Sequence, residues 1–159
     1  MGRGYQYRCS VCGKDYSVSL GIGMMYPTIY KETVAKIEQG EYGEEWKTLY
    51  SANDHVAVEA ENYVYVCSSC NSWKVDKGLS LYTAFSAGAK KSVERGCPII
   101  NGIFRTEEEA FKLLKSYIHK CDKCGSRMHK ADGEERSNLS CPYCGGPRNR
   151  NIEYVIEWD

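Results

Sequence analysis

The chain has no surplus of charge of either sign, few prolines, few histidines and no long apolar run. Lysine plus arginine number 21 and aspartate plus glutamate number 21, so the formal net charge at neutral pH is zero. A protein dedicated to nucleic acid carries a basic surplus, and none is present. No stretch approaches the roughly 18 apolar residues of a membrane-spanning helix. Residues 1–7 have no apolar signal core, and the sequence reads as cytoplasmic. The three histidines are His55, His119 and His129. His119 lies two positions before a cysteine but reads as an ordinary surface histidine. Gly21-Ile22-Gly23 lacks the third glycine of a nucleotide loop, since position 26 is Tyr26, and no lysine follows at the phosphate-loop position, so it reads as a plain turn. With no nucleophile pair and no cofactor loop, the chain is not expected to be an enzyme.

Cysteine is abundant. Of the nine, Cys97 stands alone before Pro98 and reads as an incidental or buried thiol. The other eight form four Cys-x-x-Cys pairs: Cys9 and Cys12, Cys67 and Cys70, Cys121 and Cys124, Cys141 and Cys144. A secreted disulfide framework scatters its spacings, whereas this repeat is that of a metal knuckle. Two cysteines three apart on a tight turn bring both sulfurs to one ion at about 2.3 Å, and two turns complete a tetrahedron. Gly13, Gly125 and Gly145 follow three pairs and Asn71 the fourth. All four are residues that tolerate the positive φ such a turn needs.

These knuckles resemble those of zinc ribbons and rubredoxins. Tyr7 to Tyr16 looks like a first rubredoxin knuckle and Cys141-Pro142-Tyr143-Cys144-Gly145 like a second. The resemblance covers the knuckles alone and implies two bound zinc ions, with iron as the alternative. Proximity along the chain assigns Cys9, Cys12, Cys67 and Cys70 to one ion and Cys121, Cys124, Cys141 and Cys144 to the other. An alternating, cross-braced pairing is the other arrangement considered.

The fold expected is small α+β: two zinc-ribbon-type β modules, with a helical insertion in the first and a helix leading into the second. Strands lead into the knuckles at residues 5–9 and 63–66, and the shared Tyr-x-Cys-Ser-x-Cys suggests two hairpins of one ribbon. Helices are expected from Pro27 to Gly40 and over 44–51, within an insertion at about 27–52. Residues 1–82 form the N-terminal module and 83–105 a linker. Residues 106–159 supply a helix, capped by Thr106 and Glu109 and striped by Phe111, Leu114 and Ile118, and then the C-terminal ribbon. Its last strand is 152–158.

Closed four-cysteine sites are structural, so function is sought in recognition. A protein partner is the first expectation. Nucleic acid is the alternative, through Lys123, Arg127, Lys130, Tyr143, Arg148 and Arg150 on the basic C-terminal ribbon. Electron transfer by rubredoxin-like iron is the third.

Overall fold

The computed structural model describes residues 2–23, 25–101, 110–147 and 152–158. The tyrosine-rich alternation before each of the first two knuckles becomes strand. β1 (Gly2–Arg8) and β2 (Asp15–Gly21) form an antiparallel hairpin in unbroken register from Gly2↔Gly21 to Arg8↔Asp15. Its alternate residues Tyr7, Tyr16 and Val18 are buried, and Tyr7 stacks on Tyr16 with ring centroids 5.2 Å apart. β4 (Asn62–Cys67) and β5 (Trp73–Lys77) repeat the construction. Each hairpin gains a third strand from far along the chain. β9 (Ile152–Trp158) lies antiparallel to β1, and β8 (Met128–Lys130) lies antiparallel to the end of β4. A pair at Gly21↔Asn62 joins the two sets into one sheet of order β5-β4-β2-β1-β9, with β8 on β4. A short capped helix, α4 (Gly133–Ser137), follows β8.

A second unit is built from two excursions. The first contributes α1 (Tyr26–Glu38), α2 (Glu44–Ala52) and β3 (Val56–Val58). The second contributes β6 (Leu81–Ala84), α3 (Ala87–Glu94) and β7 (Phe111–Lys115), and the sheet order is β3-β6-β7. Proline at the first turn pre-sets α1, and its buried residues Tyr26, Tyr30, Thr33 and Ile37 recur at helical spacing. Gly40, at φ 81°, follows its end. In α2 the buried Trp46 donates its indole N–H to the Leu79 carbonyl at 2.7 Å.

The α+β class and antiparallel pairing are those expected from sequence, as are α1 and α2. The chain order of the pieces differs. The compact units are discontinuous: Met1–Gly23, Glu61–Lys77 and Ile118–Asp159 make one, Met24–Ala60 and Gly78–Tyr117 the other. Residues 83–101 are not a linker. They carry α3, whose cap Ser86 accepts the Ala89 N–H at 3.2 Å, and they bury Ala84, Ala89 and Ile100. Alanine and serine suit a thin helix packed closely, which composition alone confuses with loop. Phe111 to Lys115 is strand rather than helix, paired with β6, and Ile118 is 49% exposed. The spacing Phe111–Leu114 fits either element over so short a run, and the ladder to β6 decides it. The cap residues Thr106 and Glu109 lie outside the described residues. Among the described residues, no helix is long and apolar enough to cross a membrane.

Candidate metal centres

Each Cys-x-x-Cys occupies the same turn. The first cysteine's N–H donates to the carbonyl five residues on, and its own carbonyl accepts the N–H four residues on. For Cys9 these bonds involve Lys14 and Gly13, at 2.9 Å each; for Cys67, Ser72 and Asn71 at 2.8 and 3.0 Å. Cys121 uses Ser126 and Gly125 at 2.8 Å each, and Cys141 uses Gly146 and Gly145 at 2.9 Å each. The residue after each pair takes the left-handed conformation, with φ of 70° at Gly13, 55° at Asn71, 73° at Gly125 and 70° at Gly145. That turn frees amides for sulfur. The Cys12 N–H lies 3.5 Å from Cys9 Sγ and the Gly146 N–H 3.4 Å from Cys144 Sγ.

The knuckles meet in a nested order. Cys9, Cys12, Cys141 and Cys144 form an outer cluster, and Cys67, Cys70, Cys121 and Cys124 an inner one, with all sulfurs of a cluster within 4.8 Å of one another. Neighbour pairing is therefore corrected, and the alternating pairing does not occur either. Strand pairing is the reason. β9, which follows the fourth knuckle, pairs with β1, which precedes the first. β8, which follows the third, pairs with β4, which precedes the second. The matching Tyr-x-Cys-Ser-x-Cys entries thus mark the leading hairpins of two ribbons, not two halves of one.

The sulfur geometry fits a metal ion. Closest separations are 3.6 Å for Cys9–Cys144 and 3.8 Å for Cys12–Cys141. In the inner cluster they are 3.5 Å for Cys67–Cys124 and 3.6 Å for both Cys70–Cys121 and Cys70–Cys124. A disulfide needs about 2.05 Å, and all nine cysteines are free. A tetrahedron of 2.3 Å metal–sulfur bonds has edges of about 3.8 Å. The first cysteine of every knuckle is buried, at 0 to 4% exposure.

Local donors divide the thiols. The Cys12 amide holds Cys9 down to about 6. The Ser72 hydroxyl, then the Cys124 amide, hold Cys121 down to about 6. Cys67 accepts from the Cys70 amide and Cys144 from the Gly146 amide, yet burial and neighbouring thiols push both up to about 11. Two or more sulfurs that cannot all ionise together are the donor set a divalent cation resolves, by replacing their protons.

The second shells differ. Ser72 Oγ lies 3.0 Å from both Cys70 Sγ and Cys121 Sγ. The corresponding residue of the outer cluster is Lys14, whose ammonium instead sits 4.9 Å from the centre of the Tyr143 ring. Nothing in the spacing of Ser72 distinguished it from an ordinary turn serine. Sequence reasoning also missed a chain of hydrogen bonds beside the inner cluster. Ser68 Oγ lies 3.2 Å from His129 Nδ1, and His129 Nε2 lies 2.8 Å from Glu135 Oε1. The Asp132–Glu135 capping box holds that carboxylate in place, and its sequence signature, an acid three before Glu135, was the available signal.

His119 is not a surface residue. It is 3% exposed, stacked on Tyr65 at 3.7 Å, with Nδ1 3.5 Å from Asp76 Oδ2, and it belongs to neither cluster. Cys97 also lies outside both. Of the candidate nucleic-acid contacts, Lys123, Arg127 and Lys130 fall on the inner ribbon and Tyr143 on the outer, so they do not make one basic ribbon. Lys130 stands 3.6 Å over the Tyr63 ring. Arg148 and Arg150 lie outside the described residues.

No family model, no curated protein and no solved structure matches this chain.

Proposed function

We propose that this chain is a zinc-binding recognition protein, in which two structural zinc ions hold two β-ribbons that dock on a protein partner. The observation that carries the metal reading is the closure of both clusters: each supplies four thiols from two identical turns. A catalytic zinc keeps a position for water and uses three protein ligands, whereas four cysteines complete the shell. The ions then act as cross-links, and thiolate desolvation is offset by metal bonds and amide donors. Closed sites leave recognition to the surface around them. The zero net charge supports a protein partner over nucleic acid.

Elemental analysis of the purified chain tests the first step. Two zincs per chain support it; iron, with visible absorption, would make electron transfer the leading reading. Titration with single-stranded RNA in rising salt tests the second. Tight binding that collapses with salt would favour phosphate contacts over a protein interface.

A further inference from the structure

The four knuckles share one turn, so each offers its sulfurs the same backbone amides, and side chains supply the differences. One such difference lies five positions after the first cysteine. That residue's carbonyl accepts the cysteine N–H in all four turns, which holds it beside the cluster. On the inner ribbon it is Ser72 in one knuckle and Ser126 in the other; on the outer ribbon it is Lys14 and Gly146.

Both serines turn their hydroxyls on sulfur. Ser72 Oγ lies 3.0 Å from Cys70 Sγ and 3.0 Å from Cys121 Sγ. The Cys124 sulfur accepts from the Ser126 hydroxyl and from the Ser126 amide. Cys70 and Cys124 are the exposed thiols of the inner cluster, so each exposed sulfur there has a hydroxyl on it. The exposed thiols of the outer cluster are Cys12 and Cys144. Lys14 and Gly146 have no hydroxyl to offer them. The Lys14 ammonium stands over the Tyr143 ring at 4.9 Å, and Gly146 gives its N–H alone, 3.4 Å from Cys144 Sγ.

Once a divalent cation has replaced their protons, all four sulfurs of a cluster are thiolates. The ionised fraction then no longer separates one cysteine from another, and intrinsic nucleophilicity decides which reacts. That nucleophilicity falls as charge-assisted hydrogen bonds draw electron density off the sulfur.

We infer that the two metal centres are unequal: the outer one is oxidant-sensitive, with Cys144 the thiolate that reacts first with a hydroperoxide, and Ser72 and Ser126 are positioning residues that spare the inner one. The inference rests on the zinc reading above and adds a regulation to it. The Cys144 sulfur attacks one peroxide oxygen, the O–O bond breaks, and a sulfenic acid forms as hydroxide leaves. Cys9 Sγ, 3.6 Å away, then attacks the sulfenic sulfur. An S–S bond forms, the S–O bond breaks, and a second hydroxide leaves. Two electrons pass from the two sulfurs to the peroxide. The outer site keeps Cys12 and Cys141, two short of the four ligands of a structural site. The outer ribbon then opens while the inner one stays closed.

The test follows zinc release from the full zinc-loaded chain under hydrogen peroxide. Metal is counted by native mass spectrometry, and the thiols that remain are mapped by alkylation after unfolding. The first zinc should leave about three- to tenfold faster than the second. Cys9 and Cys144 should be the first of the eight clustered thiols lost, while Cys67, Cys70, Cys121 and Cys124 are retained. Ser72→Ala and Ser126→Ala should each speed loss of the second zinc by a similar factor. Ser126→Thr, which keeps the hydroxyl, should release it at the native rate. If an alanine variant purifies with its inner site already empty, the order of thiol loss in the native chain decides. Equal rates at the two sites, or loss from the inner site first, overturn the inference and leave two structural zincs standing. Alanine variants that are fully loaded and release at the native rate overturn it too. A chain that purifies with no zinc in either cluster overturns the zinc reading itself.

Discussion

The sulfurs of Cys9 and Cys144 lie 3.6 Å apart although 135 positions separate them in the chain. Inside that span, Cys67 and Cys124 approach to 3.5 Å across 57 positions. The chain is thus stapled twice, one staple within the other.

Nesting fixes which substitutions act together. Cys9→Ser and Cys144→Ser should each cost the same single ion, and the double variant should lose no more than either. Cys9→Ser combined with Cys67→Ser should empty both sites, whereas neighbour pairing would leave one filled. Cys97→Ser should keep full occupancy. Metal counted per chain by mass spectrometry under native conditions reads all of these.

Chelation should act unevenly. A structural zinc site contributes on the order of 10 kcal/mol, and all eight clustered cysteines belong to the unit that contains β1, β2, β4 and β5. The other unit holds only Cys97 and buries its own set, Ile37, Trp46, Leu81 and Ile100 among them. Hydrogen exchange after metal removal should show protection lost in those four strands, and kept longer in α1, β3 and β6. Simultaneous loss in both units would show that the second cannot stand without the first.

Two adjacent glycines should fail for different reasons. Gly145→Ala has open space for its methyl group but a φ of 70°, so its cost is the left-handed conformation, about 1–2 kcal/mol. Gly146→Ala places a Cβ 2.9 Å from Val11 Cγ2 and 3.3 Å from Cys144 Sγ, and should disturb the outer site itself. Gly133→Ala, in α4 with nothing near, should be neutral or slightly stabilising. Denaturation midpoints and zinc competition together separate backbone cost from metal loss.

Glu135 gives a pH signature. The His129 hydrogen bond, then the Asp132 amide, hold its carboxyl below the ordinary value of 4.5. A carboxyl depressed in the folded state stabilises above its unfolded pKa, and that contribution fades as pH falls through the folded value. Urea midpoints of the native chain and Glu135→Gln should differ near neutrality and converge as the pH falls below the ordinary carboxylate range. A constant gap across that range would mean that the ionised carboxylate is not what matters.

What could be read beforehand was what short-range chemistry dictates. The positive φ at Gly13, Asn71, Gly125 and Gly145 follows from residue type at a fixed offset from cysteine. Helix α1 follows from Pro27 at its start and Gly40 past its end, and its buried residues Tyr30, Thr33 and Ile37 share one face. The partnering of knuckles was not legible, because each turn is identical and the choice is made by strands β8 and β9 over long range. Residues 83–101 misled for a related reason: small residues are read as loop by composition, while their close packing is a tertiary fact. His119 carried no local sign that Tyr65 would cover it.

The outer staple also imposes an order in time. Synthesis proceeds at about 5–20 residues per second, so Cys9 and Cys12 emerge on the order of ten seconds before Cys141 and Cys144. During that interval the leading knuckle is a pair of thiols without its mates, while the inner ribbon can already close. Loop closure across 135 rather than 57 positions costs about 0.8 kcal/mol more if attempted in the open chain. Closing the inner ribbon first shortens the remaining span. The nested layout therefore makes the last knuckle to be synthesised the latch, and a nascent chain halted before residue 141 would expose a half-site able to capture a metal or a thiol from elsewhere.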